Sequence, residues 1–399
     1  MNPLALYVHF PYCLYKCHYC DFNSYAVEFT EDLEIFYRTA LLGEIKKIFE
    51  NLPSSQITSL FFGGGTPSLF SAQSFEKIFE TLSSLVSLKS DGEITIEMNP
   101  KTIGAEKIRD YLRVGINRFS LGVQSFEDRY LSPLGRLHTG EEAKTALRMI
   151  KKGGVQNFNL DLMFGFPSQR PDEVLNDLRQ ALEFEPSHLS FYNLTLEDGT
   201  LLKDQFLKGK IRLPDNEVQA RMYEEGIGYL EGKGYRGYEI SNFCRPGKES
   251  RHNLAYWRYE NYLGLGAGAV SFLKKECFGA KQPQDPNENL YGYRWTNPKI
   301  PKEYRSHMTD RTYSFSNLEK IDQKTAAGEF WMMGLRLSEG VCLNNFERHF
   351  GRERKFYYEE SVIPCFQKKG WIARDRDQVR LTPAGRMFGN EVVSGFLLE

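Results

Sequence analysis

Leu4-Ala5-Leu6-Tyr7-Val8-His9-Phe10-Pro11-Tyr12-Cys13-Leu14-Tyr15-Lys16-Cys17-His18-Tyr19-Cys20 is an apolar run that stops at a proline and opens into three cysteines spaced C-x3-C-x2-C. The run reads as a buried strand, and the spacing of the thiols fits an iron–sulfur cluster held by three thiolates. A cubane cluster has four iron corners, so three ligands in one tight loop leave a corner for something exchangeable. Structural zinc is the competing reading. It needs a fourth ligand, such as His18 or His9, to close a tetrahedral Cys3His site. The other four cysteines, Cys244, Cys277, Cys342 and Cys365, are scattered and read as small apolar side chains.

Outward from this stretch, short apolar runs alternate with amphipathic helical patterns, the order expected of βαβ units. Residues 4–10, 57–62, 93–98, 117–122, 158–163 and 188–194 read as strands. Between the first two, Leu33, Phe36, Tyr37, Ala40, Leu41, Ile45, Ile48 and Phe49 recur at helical spacing behind Thr30, a fitting N-cap, with Glu31 and Asp32 in the first turn. Six βα units against the eight of a closed barrel predict an α/β fold, an incomplete (β/α)6 TIM-like barrel with an open side. A helix over 214–232 and an extended 235–240 follow, placing the end of the core barrel near residue 240. Residues 241–317 are then a motif-bearing segment running into a connector, since 274–317 is rich in Pro, Lys, Gln and Asn and weakly periodic.

Residues 318–399 predict a smaller C-terminal α/β domain. A helix around Phe330 to Leu337 precedes two short strands flanking the turn Arg374-Asp375-Arg376-Asp377. A second helix then starts with Thr382 as N-cap and Pro383 at its first position. This order is winged-helix-like, a module that often binds DNA. From Lys320 to Glu399, however, thirteen Lys and Arg face eleven Asp and Glu, too weak a bias for a phosphate-binding face. A lid or docking role fits better.

Across all 399 residues the formal charge is −1 and hydrophobic residues make up 41%. This balance excludes bulk attraction to nucleic acid, and the length permits a full core and two domains. There is no run of eighteen apolar residues and no basic segment ahead of an apolar stretch, so neither membrane insertion nor export is expected. Clustered thiols that ligate metal instead of pairing imply a reducing, cytoplasmic setting.

Phe61-Phe62-Gly63-Gly64-Gly65-Thr66-Pro67-Ser68 puts three glycines at the end of a predicted strand, where a parallel barrel builds its active site and missing side chains let a ligand approach the backbone. Behind the run from Tyr7 into the cysteine loop, this triplet resembles the glycine motif of the radical S-adenosylmethionine (SAM) superfamily. The resemblance implies a [4Fe–4S] cluster on Cys13, Cys17 and Cys20, with the amino and carboxylate groups of SAM on the open iron. A reduced cluster, fed by an electron donor, would cleave the sulfonium to a 5′-deoxyadenosyl radical. It also implies SAM contacts at Tyr7, Tyr19, Gly64, Gly65, Thr66, Glu97, Gln124, Arg136 and Asp161. Val270, after the small-residue run Gly264-Leu265-Gly266-Ala267-Gly268-Ala269, is the counterpart of an apolar SAM contact.

Within the superfamily the chain resembles the branch holding oxygen-independent coproporphyrinogen III oxidase and the HemW-type haem chaperones. Two features separate them. The oxidase carries a fourth cysteine in a C-x3-C-x2-C-x-C pattern and an N-terminal extension; this sequence has Phe22 at that place and twelve residues ahead of Cys13. His252-Asn253-Leu254-Ala255-Tyr256-Trp257 matches the H-N-x-x-Y-W motif of the chaperone branch. An imidazole can ligate haem iron, and Tyr256 and Trp257 offer flat apolar contact to a porphyrin. The plainer reading of His252 is a hydrogen-bonded core residue. The resemblance therefore implies haem as ligand and an acceptor protein to receive it, with the radical decarboxylation of coproporphyrinogen III as the alternative activity.

Overall fold

The computed structural model describes residues 2–50, 52, 55–281, 289–309 and 317–397. Its frame is one sheet of twelve strands: β1 Asn2–Phe10, β2 Ser55–Gly64, β3 Ser87–Met98, β4 Arg118–Gln124, β5 Phe158–Phe164, β6 His188–Asn193, β7 Arg236–Gly237, β8 Asn242–Cys244, β9 Tyr262–Leu265, β10 Val270–Lys274, β11 Leu290–Thr296 and β12 Glu319–Asp322. The spatial order is β12-β11-β10-β9-β1-β2-β3-β4-β5-β6-β8-β7. β1 through β6 are the six predicted strands, paired in parallel in chain order. Helices Glu31–Phe49, Ala72–Leu85, Ala105–Arg113, Gly140–Lys152 and Pro171–Leu182 alternate with them. The sheet does not close on itself, since β12 and β7 end it.

The sheet runs past residue 240. β9 pairs in parallel with β1, Leu6 opposite Leu263 and Val8 opposite Leu265, and β10 and β11 continue it antiparallel. The segment read as a connector thus supplies a strand, Leu290–Thr296, and a helix, Pro301–Thr309. Its stretches 282–288 and 310–316 lie outside the described residues. Burial explains the extension: Leu263, Leu265, Tyr293 and Trp295 are each at most 1% exposed and join the core of the β1–β6 sheet.

Local signals set the helix ends. Thr30 Oγ1 accepts from the Leu33 N–H at 3.3 Å, and Thr382 accepts from the Gly385 N–H at 3.0 Å with Pro383 in the first turn. The C-terminal domain packs helices around Trp331, Phe346, Tyr358 and Phe396 against a three-stranded sheet of Val341–Cys342, Gln378–Leu381 and Ile372–Asp375. Among the described residues no helix is long and apolar enough to cross a membrane.

Glu44 ties the β9–β10 turn to the first helix. Fully buried, it accepts from the Gly266 N–H at 2.8 Å, the Tyr304 hydroxyl at 2.6 Å and the Asn297 amide at 2.6 Å. Burial outweighs these donors and pushes its carboxyl up to about 7. A carboxyl raised on folding takes up a proton. Its contribution is complete below the unfolded value near 4.5 and is lost as pH rises through 7, a change of about 3 kcal/mol. Glu44→Gln is expected to flatten the fall in stability between pH 5 and pH 7.5, read as thermal midpoints at the two pH values. Equal slopes in the two proteins would contradict it.

Candidate functional site

The cysteine loop leaves β1 at Phe10 and is tied down at several points. Tyr12–Cys13 pairs with Tyr25–Ala26, and the Val27 N–H donates to the Cys13 carbonyl at 2.9 Å. The His18 N–H donates to the Leu134 carbonyl at 2.9 Å, fastening the loop to the segment after β4. Each thiol has a polar neighbour: the Thr66 hydroxyl donates to Cys13 Sγ at 3.3 Å, Arg136 Nη1 lies 3.6 Å from Cys17 Sγ, and the Ser24 hydroxyl lies 3.9 Å from Cys20 Sγ. Burial raises the Cys13 and Cys20 thiols above their usual range, partly offset by these hydroxyls.

The donor set fits a cluster better than a zinc ion. His9 Nε2 donates to the Asn23 carbonyl at 2.8 Å, so its Nδ1 accepts from the Tyr7 hydroxyl at 3.0 Å. His18 is engaged likewise, Nδ1 on the Pro133 carbonyl at 2.8 Å and Nε2 with the Tyr15 hydroxyl at 2.9 Å. In each ring the one acceptor nitrogen is already engaged by a tyrosine hydroxyl. Among the described residues no three His, Cys, Asp or Glu side chains converge as one ion requires; a cubane ties each thiolate to a different iron.

Behind the thiols lies a cavity of about 400 Å³. Its wall brings together Cys13, Cys17, Cys20, Tyr19, Gly64, Gly65, Thr66, Glu97, Gln124, Arg136 and Asp161. Strand register accounts for this. His9 lies opposite Gly63 and Phe10 opposite Gly64, so the glycine turn meets the cysteine loop, while Glu97 and Gln124 sit at or near the carboxyl ends of β3 and β4 and Asp161 reaches the cavity from midway along β5. A Cβ on Gly65 would fall 2.7 Å from the Tyr12 carbonyl and 3.0 Å from Cys13 Sγ. The missing side chain lets the glycine turn pack directly against the cysteine loop.

The polar groups are pre-set. Glu97 accepts from the Gly64 N–H at 3.0 Å; burial, with the nearby Asp161 charge second, pushes its carboxyl up to about 8. Asp161 accepts from the Asn159 amide at 2.7 Å and is raised chiefly by burial. Gln124, at φ +69 where β4 is bulged, accepts from the Tyr192 hydroxyl at 2.7 Å. Arg136 donates to the Gly122 carbonyl at 2.5 Å, and its buried Nε has no partner among the described residues. An unpaired guanidinium N–H beside the thiols is a place for a carboxylate.

Five expected contacts lie outside this wall. Tyr7 stands behind the glycine turn, 6.1 Å from the Phe61 ring and 6.3 Å from that of His252. Val270 opens β10 and is 37% exposed. His252 is 1% exposed, with Nδ1 on the Ser59 hydroxyl and Nε2 on the Tyr256 hydroxyl, each at 3.0 Å, and burial pushes it down to about 3. This is the core arrangement. Trp257 lines a different cleft, toward the C-terminal domain. Sequence reading passed over Ser190, Tyr192, Asn193, Thr195 and Glu197, which close the cavity from the end of β6. Their position at a barrel strand's carboxyl end was the available signal.

The radical SAM superfamily profile matches residues 7–181, and that of the HemN C-terminal domain matches residues 321–388. A heme chaperone HemW of Haemophilus influenzae is 36% identical over 100% of this chain and 99% of its own, and that of Escherichia coli is 35% identical over the same shares. The chain belongs to the HemW family of radical SAM proteins. The solved coproporphyrinogen III oxidase (HemN) of Escherichia coli superposes with a TM-score of 0.81 over 99% of this chain and 90% of that one, at 22% identity. It shares the fold. Membership of the HemW family implies a [4Fe–4S] cluster and SAM, and the three-thiol loop, the glycine turn and the unpaired Arg136 N–H fit them. When bound, the pair supplies one-electron cleavage of a sulfonium. The residues' own part is to line one cavity with the three thiols, the glycine turn and the Arg136 guanidinium; the Gly64 and Gly65 N–H groups are spent on Glu97 and the Phe10 carbonyl, which fixes the turn against the cysteine loop.

Proposed function

We propose that this chain is a haem chaperone: it binds haem and hands it to an acceptor protein, carrying a [4Fe–4S] cluster on Cys13, Cys17 and Cys20 and an exchangeable SAM in the cavity behind them. The observation that carries this reading over the decarboxylase is Phe22. It lies 61% exposed on the cavity wall, at the place where the oxidase pattern has a further cysteine. A phenyl ring offers the reacting centre neither a thiol nor a proton.

Within the cavity we assign Arg136 to the SAM carboxylate, Gly64, Gly65 and Thr66 to its methionine end, and Glu97, Gln124 and Asp161 to its amino and ribose groups. Tyr19 forms part of the wall. Tyr7 and Val270 take supporting positions, Tyr7 through His9 and the glycine turn. An electron donor meets the cluster at the cysteine loop, in a cytoplasmic setting. Strands beyond residue 240, as far as β12 at Glu319–Asp322, extend the main sheet, and the rest of 318–399 forms the domain that faces the acceptor.

Anaerobic reconstitution with iron and sulfide, then haem titration beside coproporphyrinogen turnover with SAM and reductant, tests the reading. Stoichiometric haem binding without decarboxylation is the expected result. Conversion to protoporphyrinogen IX without stable haem binding would make the chain an oxidase.

A further inference from the structure

The helix Arg251–Trp257 carries the H-N-x-x-Y-W motif but points its residues two ways. His252 and Tyr256, four apart, share the face turned to β2, where they bond each other and Ser59. Trp257 falls about 140° further round at 100° per residue. It lines a cleft of about 320 Å³ between this helix and the C-terminal domain. The cleft holds two of the side-chain types that ligate haem iron, His349 and Cys342, with Phe330 beside them and the cations Arg258 and Lys274 in its wall.

We propose that this cleft is the haem site and that His349 Nε2, not His252, is the iron ligand. The inference rests on the haem reading above. His349 is half-buried on the helix Leu343–Phe350, its ring 5.8 Å from Phe330 and 5.9 Å from Phe350. Its Nδ1 lies 3.3 Å from the Tyr291 hydroxyl. With the proton on Nδ1 and donated there, Nε2 keeps its lone pair, and among the described residues it has no hydrogen-bond partner. A ligating imidazole typically has its second nitrogen so occupied. Burial, with Lys274 and Arg348 next, pushes His349 down to about 4, leaving it neutral at pH 7. His252 has both nitrogens bonded and would have to break a buried hydrogen bond to reach iron.

The rest of the wall suits a porphyrin. Trp257 is half-buried, its indole N–H has no partner among the described residues, and the Arg336 guanidinium stacks 4.6 Å from its ring. Trp257 and Phe330 give flat apolar surface. Arg258 and Lys274 suit the two propionates, with Arg258 exchanging its exposed ion pair with Glu339, 3.0 Å away, at little cost. Glu260 also lines the cleft, so its net charge is balanced before haem enters. At about 320 Å³ the space is at the lower end for ligand pockets.

The test is haem titration of the reconstituted full chain, wild type beside His349→Ala, His252→Ala and Cys342→Ser, with electron paramagnetic resonance of the ferric complexes. Wild type should show imidazole ligation. His349→Ala should lose that signature and weaken haem binding about tenfold or more, with added imidazole restoring the spectrum and the cluster absorbance unchanged. A wild-type thiolate signature overturns the assignment. So does full imidazole-type binding in His349→Ala, or loss of that signature in His252→Ala with His349→Ala intact; in each case the chaperone reading stands. If His349→Ala fails to fold, His349→Gln takes its place and the wild-type signature still discriminates. Absence of haem binding by the wild type would sink the chaperone reading itself.

Discussion

Cys17→Ala is expected to abolish the [4Fe–4S] absorbance and the electron paramagnetic resonance signal of the reduced cluster. Cys17 is one of three thiols on the cavity wall, and no substitute stands by. His18 has both ring nitrogens hydrogen-bonded, His9 likewise, and the other cysteines are far along the chain. Two thiolates leave half of a cubane's irons without protein ligands. The fold should survive, because the backbone bonds of His18 and Val27 that tie the loop down do not use this side chain. Far-ultraviolet circular dichroism should therefore match wild type while the cluster is absent. A full cluster signal in the variant would remove Cys17 from the ligand set.

Gly64→Val is expected to weaken SAM binding by more than tenfold in reconstituted protein, with the cluster partly lost. Gly64 sits at φ +113, a conformation that costs a side-chain-bearing residue about 1–3 kcal/mol, and a β-branched residue bears it worst. Space adds to the penalty. A Cβ would stand 2.5 Å from the His9 ring, which is held between Tyr7 and the Asn23 carbonyl. Asn23 in turn donates to the Ala267 carbonyl at 2.9 Å, so a displaced His9 moves the return arm of the cysteine loop. The Gly64 N–H also loses its aim at Glu97. Gly43→Ala is the control, since nothing lies within 4 Å of a Cβ there and alanine suits a helix. Equilibrium binding of SAM to the three proteins decides it; wild-type affinity in Gly64→Val would mean that the turn does not contact the ligand.

Much of the barrel could be read from residues in a row. The six parallel strands, the Thr30 and Thr382 caps, the Pro383 start and the three-thiol loop rest on periodicity, on side chains reaching backbone two or three residues away, and on ligand spacing within one loop. These are local effects, and the chain carries them wherever it goes. What followed residue 240 was decided by tertiary structure. β9 finds its place only beside β1, with Ala5 opposite Tyr262, a pairing across more than 250 residues that no local pattern encodes. The same holds for the motif helix. From 252 to 257 the sequence names an imidazole and two rings but not their directions. Packing against Ser59 turned His252 inward, and the docking of the C-terminal domain placed Trp257 beside His349. Which nitrogen keeps a free lone pair depends on which partners a fold brings within 3 Å, and only the folded chain determines that.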